Sequence, residues 1–329
     1  MLSERETTLL KNIVEDYIKT ARPVGSKSLC DLLDCSSATI RNEMSFLEEL
    51  GLLEKTHTSS GRVPSEKGYR YYVDHIMVPK DLSGEDMLKL QTIFHNHSLV
   101  LSDAITKSME IVSDLTNYTA IVLGASSKEN RVSRVEVVPL DEQKMLAIII
   151  TDKGHVEHRN LNMEERVSIS EIKQTVDIIN KLIVGTPIDE VSSKLEFEVK
   201  PVIEKVVSQH EVLYNAFYNA FYTFTNDTDI KMHGTSNILS LPEFNDTKRI
   251  REIVSKFEDK EMVKKIESDE EGTHIYIGSE NDFDDDMTVI KTTYHVDGME
   301  GTIAIVGPKR MEYDRVITLL DYIKEHIER

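Results

Sequence analysis

The chain has 329 residues, 40% of them hydrophobic, and sets 39 lysines and arginines against 58 aspartates and glutamates for a net charge of −19. That length supports two or three domains with real cores, while the acidic balance excludes indiscriminate nucleic-acid binding by the whole surface. Apolar runs such as Leu146–Ile150 are far too short for a membrane span, the opening MLSERETTLL lacks the apolar run of a signal peptide, and Cys30 and Cys35 cannot build a disulfide framework, so a cytoplasmic protein is expected.

Ser3 and Glu6 form an S-x-x-E capping box. Leu9, Leu10, Ile13, Val14, Tyr17 and Ile18 then recur at helical spacing and predict an amphipathic first helix, ended by Pro23. Ser26 opens a short second helix holding Leu29, Leu32 and Leu33. Ser36 or Ser37 caps a third helix that runs to Leu50, with Gly51 just past its end. Ile40, Met44, Leu47 and Leu50 are its core face. Ala38, Arg41, Asn42 and Ser45, spaced i, i+3, i+4, i+7, lie roughly opposite. A guanidinium, an amide and a hydroxyl near a helix N-terminus can reach base edges in a major groove, although the same spacing also describes an ordinary solvated face.

The next segment weighs against the ordinary face. Residues 52–56 read as a strand, 58–61 as a turn, Arg62–Val63 as a return strand stopped by Pro64, and Ser65 caps a helix with Tyr69, Tyr71 and Tyr72. Three helices followed by a hairpin are the parts of a winged helix-turn-helix. Residues 1–75 carry a net charge of only −2, and within 55–73 Lys55, Arg62, Lys67 and Arg70 oppose Glu66 alone. The expected readers of bases are Arg41 and Asn42, flanked by Ser37, Ala38, Thr39 and Ser45. His57, Thr58, Ser59 and Arg62 are expected on the backbone or minor groove, and Lys55, Lys67 and Arg70 beside phosphates.

Beyond a linker near Pro79, Ser83 and Gly84, a long helical pattern reaches residue 118 and a buried strand covers 119–123. Three strands at 132–140, 145–151 and 156–161 form an antiparallel meander with turns at Asp141–Glu142 and Asp152–Gly154. Residues 170–224 are mostly helical, interrupted at Gly185–Pro187 and Pro201. Tyr214, Phe217, Tyr218, Phe221 and Tyr222 form one stripe there, read either as packing within the subunit or as a dimer interface. The remainder offers a helix near 246–258, strands near 273–278, 288–296 and 301–306, a turn at Asp297–Gly298 and a final helix over 312–327. Asp282–Asp286 lacks the Gly and Glu of an EF-hand and reads as a solvated acidic loop, so no metal site is expected. GPKRM at 307–311 lacks P-loop spacing and reads as a turn before a helix. No catalytic motif appears, so neither an enzyme nor a cofactor is expected.

The strings SSATIRNEMSFLEELG and GLLEKTHTSSGRVPSEKGYRYYVD, with GTSNILSLPEF at 234–244 and GTIAIVGPKRMEYDRVI at 301–317, resemble the HrcA heat-inducible transcription repressors of bacteria across essentially the whole chain. Ser60 stands where that family often has Ala, Lys309 where it commonly has Thr, and the loop around Phe283–Asp286 is more acidic. The resemblance implies an α+β multidomain fold: a winged helix over 1–75, a GAF-like α/β domain from 76–129 and 229–329, and a dimerising α+β domain inserted at 130–228. It implies a homodimeric repressor on an inverted-repeat operator of chaperone operons, released on heat shock, with a chaperonin maintaining its competence. The alternative, within the architecture that the resemblance implies, is a metabolite-sensing GAF-like regulator whose winged helix serves protein contacts.

Overall fold

A computed structural model describes residues 2–56, 61–95, 101–126, 131–140, 143–152, 156–163, 165–226, 230–244, 246–267, 270–296 and 299–328. His57, Thr58, Ser59 and Ser60, and the turns expected at Asp141–Glu142 and Asp297–Gly298, lie outside them, as does Gly154 of the turn expected at Asp152–Gly154.

Ser3 begins α1 (Glu4–Thr20) with the expected capping box: its side chain accepts from the Glu6 N–H, and Glu6 accepts from the Ser3 N–H at 2.7 Å. Such a cap stabilises a helix by about 1 kcal/mol. The apolar stripe buries Leu9, Leu10, Ile13 and Val14 completely. The expected second helix is instead a 3-10 turn (Ser26–Leu29) leading into one α-helical turn, α2 (Cys30–Leu33), and Leu32 is exposed. Then come α3 (Ser37–Glu49), the two-stranded wing β1 (Leu53–Lys55) and β2 (Arg62–Pro64), and α4 (Glu66–His75). The wing strands pair antiparallel, with Lys55 opposite Arg62. Gly68 of α4 has no alternative: a Cβ there would sit 2.0 Å from the Leu52 carbonyl oxygen, so only glycine lets α4 close on the wing.

The long helical pattern after the linker divides into α5 (Gly84–Phe94) and α6 (Leu101–Thr116), followed by β3 (Thr119–Ser126). The chain then forms a separate compact unit over 124–229, joined by 295–300. In it β4 (Val132–Pro139), β5 (Lys144–Thr151) and β6 (Val156–Asn162) make an antiparallel sheet in sequence order. Helices α7 (Ile169–Ile183), α8 (Ile188–Lys194), α9 (Lys200–Val206) and α10 (His210–Asn226) complete it. Asn180 of α7 ties helix to sheet, its amide bonding both the N–H and the carbonyl of Val135 at 2.8 Å. The break expected at Pro201 is absorbed differently. A π-helical stretch, Leu195–Val199, joins α8 to α9 without a break, and Pro201 is accommodated just beyond it as the second residue of α9.

Phe217 and Phe221 of the aromatic stripe are buried in this unit's core with Leu213 and Ile179, and Tyr214 is nearly so. As a dimer interface the stripe therefore shrinks to Tyr218 and the exposed Tyr222, whose rings stack 6.1 Å apart. The sheet's second face carries an apolar row along β5 between mixed neighbours, with Glu136 and His158 across from Ile148, Arg134 and Val156 from Ile150, and Val138 and Asn160 from Leu146. β5 sends Met145, Ala147 and Ile149 into the core, while Leu146, Ile148 and Ile150 lie half-exposed on the other side, between the exposed Val138 and Val156.

The chain returns through β7 (Ile230–His233), a strand the sequence reading did not anticipate, then α11 (Thr235–Leu239), α12 (Thr247–Glu258) and α13 (Lys260–Lys264). β8 (Thr273–Ile277), β9 (Met287–Val296), β10 (Met299–Pro308) and α14 (Tyr313–Ile327) finish it. The strands order β7-β3-β10-β9-β8. Ile121, Leu123, Val289, Ala304 and Val306 pack with Ile253 and Phe257 of α12, and alternate residues Ala120, Val122, Ile290, Ile303 and Ile305 are buried too, so both faces of this sheet are covered. The 282–286 loop is not simply solvated. Asp284 is buried and its carboxylate bonds Lys256 at 2.7 Å and also Arg249. Burial acts to raise its pKa, but the bonds from Lys256, the Asp286 N–H and Arg249 outweigh it and hold the carboxyl below its ordinary value.

Candidate nucleic-acid interface

α3 is built to present one polar face. Ser36 caps it from an extended conformation, accepting from the Thr39 N–H at 3.2 Å. Ile40, Met44 and Leu47 anchor the inner face at 0–2% exposure. Ala38, Arg41, Asn42 and Ser45 are exposed on the other side, and Ser37 and Thr39 are half-exposed. The far end of α3 is closed three ways: Gly51 takes a left-handed conformation at φ 75°, the Ser65 hydroxyl donates to the Gly51 carbonyl, and Lys67 Nζ donates to the Leu50 carbonyl at 2.9 Å. A cation on the last carbonyls also suits the helix dipole.

Arg41 is held without being neutralised. Its Nε donates to Ser26 Oγ at 3.2 Å, that hydroxyl lies 2.8 Å from Ser37 Oγ, and Arg41 has no ion pair among the described residues. The spacing of α3 gave no hint of Ser26, which comes from the preceding 3-10 turn. The same turn carries Lys27, exposed beside the N-terminus of α3 and absent from the sequence expectation.

Two expected contacts are engaged elsewhere. Arg62 is 7% exposed at the base of the wing, where its backbone pairs both ways with Val24 at 2.9 Å and its guanidinium bonds Glu48 of α3 at 2.7 and 2.8 Å. It ties the wing to α3 rather than reaching out from the tip. Arg70 points into the sheet domain, where Nε donates to Glu280 at 2.9 Å and Nη2 to the Ile275 carbonyl at 2.5 Å, with Asp74 at 3.2 Å. The hydrogen bond to Glu280 raises its pKa above the ordinary value. Of the four cations that made 55–73 basic, Lys55 and Lys67 remain exposed, Lys67 with its ammonium on Leu50.

An amphipathic third helix with an open polar face, closed against a two-stranded wing, defines a winged-helix DNA-binding regulator. The family profile described as "Winged helix-turn-helix transcription repressor, HrcA DNA-binding" matches residues 1–74, and that described as "HrcA protein C terminal domain" matches 102–317. The chain is 40% identical to the heat-inducible transcription repressor HrcA of Bacillus pumilus (strain SAFR-032), over 99% of this chain and 97% of that one. It is 41% identical to the repressor of the same description from Lysinibacillus sphaericus, over 98% and 96%. The chain belongs to the HrcA family of heat-inducible transcription repressors. A crystal structure of a hypothetical protein shares the fold at 22% identity and a TM-score of 0.65, covering 100% of this chain and 98% of that one.

Proposed function

We propose that this protein represses chaperone operons in the cytoplasm by binding an inverted-repeat operator as a homodimer, and that a chaperonin sets how much of it is competent to do so. The observation that carries the DNA-binding part is the open polar face of α3, with Arg41 held by Ser26 and opposed by no carboxylate among the described residues. Arg41 and Asn42 read bases in this account, with Ser37, Ala38, Thr39 and Ser45 around them. Lys55, Lys67 and Lys27 serve phosphates, and His57, Thr58 and Ser59 belong to the wing tip. Arg62 and Arg70 leave the set because their charges are spent inside the protein.

The test is a gel shift of the purified protein on the inverted repeats upstream of the host's chaperone operons, against scrambled DNA of equal length, with and without chaperonin. The expected result is a shift confined to the repeat, weakening as salt rises and strengthening with chaperonin. Equal affinity for both DNAs would sink the reading.

For the homodimer, the uncovered face of the β4–β6 sheet is better suited than the buried α10 stripe, because Leu146, Ile148 and Ile150 present contiguous apolar surface. Ile148→Asp is expected to convert a dimer to a monomer in sedimentation velocity. A variant that still sediments as a dimer removes this face from consideration.

A further inference from the structure

The winged-helix domain is fastened to the sheet domain by more than its linker. Glu66, at the start of α4, accepts from both the N–H and the hydroxyl of Ser279 and lies 3.7 Å from Lys309. One turn later Arg70 makes its two-pronged pair with Glu280, and Glu280 in turn accepts from the Ile277 N–H at 2.8 Å. Gly278 makes room for this: its φ is +56°, and a Cβ there would fall 2.0 Å from Glu66 Oε2. Between these polar contacts Tyr69 and Tyr313 are buried with ring centroids 6.1 Å apart. A second fastening lies at the end of α1, where Arg310 pairs with Glu243 and donates to the Ile18 carbonyl at 3.3 Å. The bonds come from α4, α1 and the 278–280 and 309–310 turns, and none of them involves α3.

Paired carboxylates, a fork-to-fork arginine and a buried ring contact fix orientation as well as proximity, because each is directional. The linker alone would not do so. It is anchored at Lys80, which pairs with Asp314 at 2.6 Å and whose carbonyl accepts from Thr318 at 2.9 Å. Ile76 and Met77 bond back to the Tyr72 carbonyl, and from Met77 to Lys80 the free chain can span up to about 10 Å. Lengthening an operator by two base pairs moves one half-site by only about 7 Å and turns it by about 70°. A head on that tether could follow the displaced half-site, whereas a clamped head could not.

We propose that the Glu66–Ser279, Arg70–Glu280 and Arg310–Ile18 contacts are positioning elements for operator recognition, holding each head so that the dimer accepts one half-site spacing. This rests on the inverted-repeat reading given above. Glu66, Gly278, Glu280 and Arg310 are positioning residues that need not touch DNA.

The experiment compares three DNAs by fluorescence anisotropy: the operator, the operator with two added central base pairs, and a single half-site. The proteins are wild type, the double variant Gly278→Ala/Glu280→Ala, and Arg310→Ala, each checked for its fold by circular dichroism. Wild type is expected to prefer the native spacing by about a hundredfold, the avidity lost when one head cannot engage. In the variants that preference is expected to fall below about tenfold, with half-site affinity unchanged. A preference retained in both variants overturns the proposal, and so does wild type binding both spacings equally. Loss of half-site binding in folded variants, or tighter binding to the native operator, also overturns it. Failure of wild type to bind the operator at all strikes the operator reading instead.

Discussion

Arg41→Ala is expected to weaken operator binding by about 1–3 kcal/mol, roughly a 5- to 150-fold rise in Kd, and to blur discrimination at the base pair it reads. The size follows from how the side chain is held. Its Nε is committed to Ser26, so part of the rotamer entropy of a long side chain is already lost before DNA arrives. Among the described residues no carboxylate must be displaced to free it. Truncation removes a pre-aimed donor from the interface while leaving the buried face of α3 intact, so melting temperature should hardly move. The check is a titration of wild type and variant on the operator and on single-base variants of it. Equal Kd values on the operator would remove Arg41 from base readout.

Arg62→Ala is expected to act through stability instead, lowering the unfolding free energy of the winged-helix domain by about 2–4 kcal/mol, as loss of one partner from a largely buried pair does. Its guanidinium is buried, its partner Glu48 sits on α3, and its backbone bridges Val24. Truncation leaves the Glu48 carboxylate half-buried without this partner and a hole where the wing meets the helix. Denaturant midpoints measure the loss, and operator affinity corrected for the folded fraction should change little. A large fall in affinity at unchanged stability would return Arg62 to the DNA surface.

These two arginines illustrate what could be read from the sequence. Local signals were legible where the physics is local. The capping box at Ser3, the stripe of α1, the two faces of α3 and the β4–β6 meander follow from spacing alone. The place of Arg41 on the exposed face was legible because helical periodicity set it apart from Ile40, Met44 and Leu47. The bonding of Arg62 and Arg70 was not legible, because the acid that each guanidinium meets is distant. Glu48 lies on another element and Glu280 is 210 residues away. The same holds for Asp284, whose neighbours suggest a solvated loop until Arg249 and Lys256 arrive from α12. Phe217 and Phe221 have the spacing of an interface, but the same spacing serves a core, and only the packing of β6 and α8 against α10 decides it. β7 was missed because four half-buried residues, IKMH, carry almost no alternation and owe their strand to β3.

The pairing of β3 with β7 also bears on how the chain could be organised during synthesis. Leu123 and Ile230 are direct partners across that ladder, and everything between them belongs to the other compact unit. In topological terms the two strands are a hairpin whose turn has grown to about a hundred residues. Closing so long a loop costs only about 3 kcal/mol more than closing a tight turn, since the entropy grows with the logarithm of length. The sheet can therefore carry the excursion as an appendix with its own core, and replacing it by a short turn leaves every strand of that sheet with the neighbours it has now.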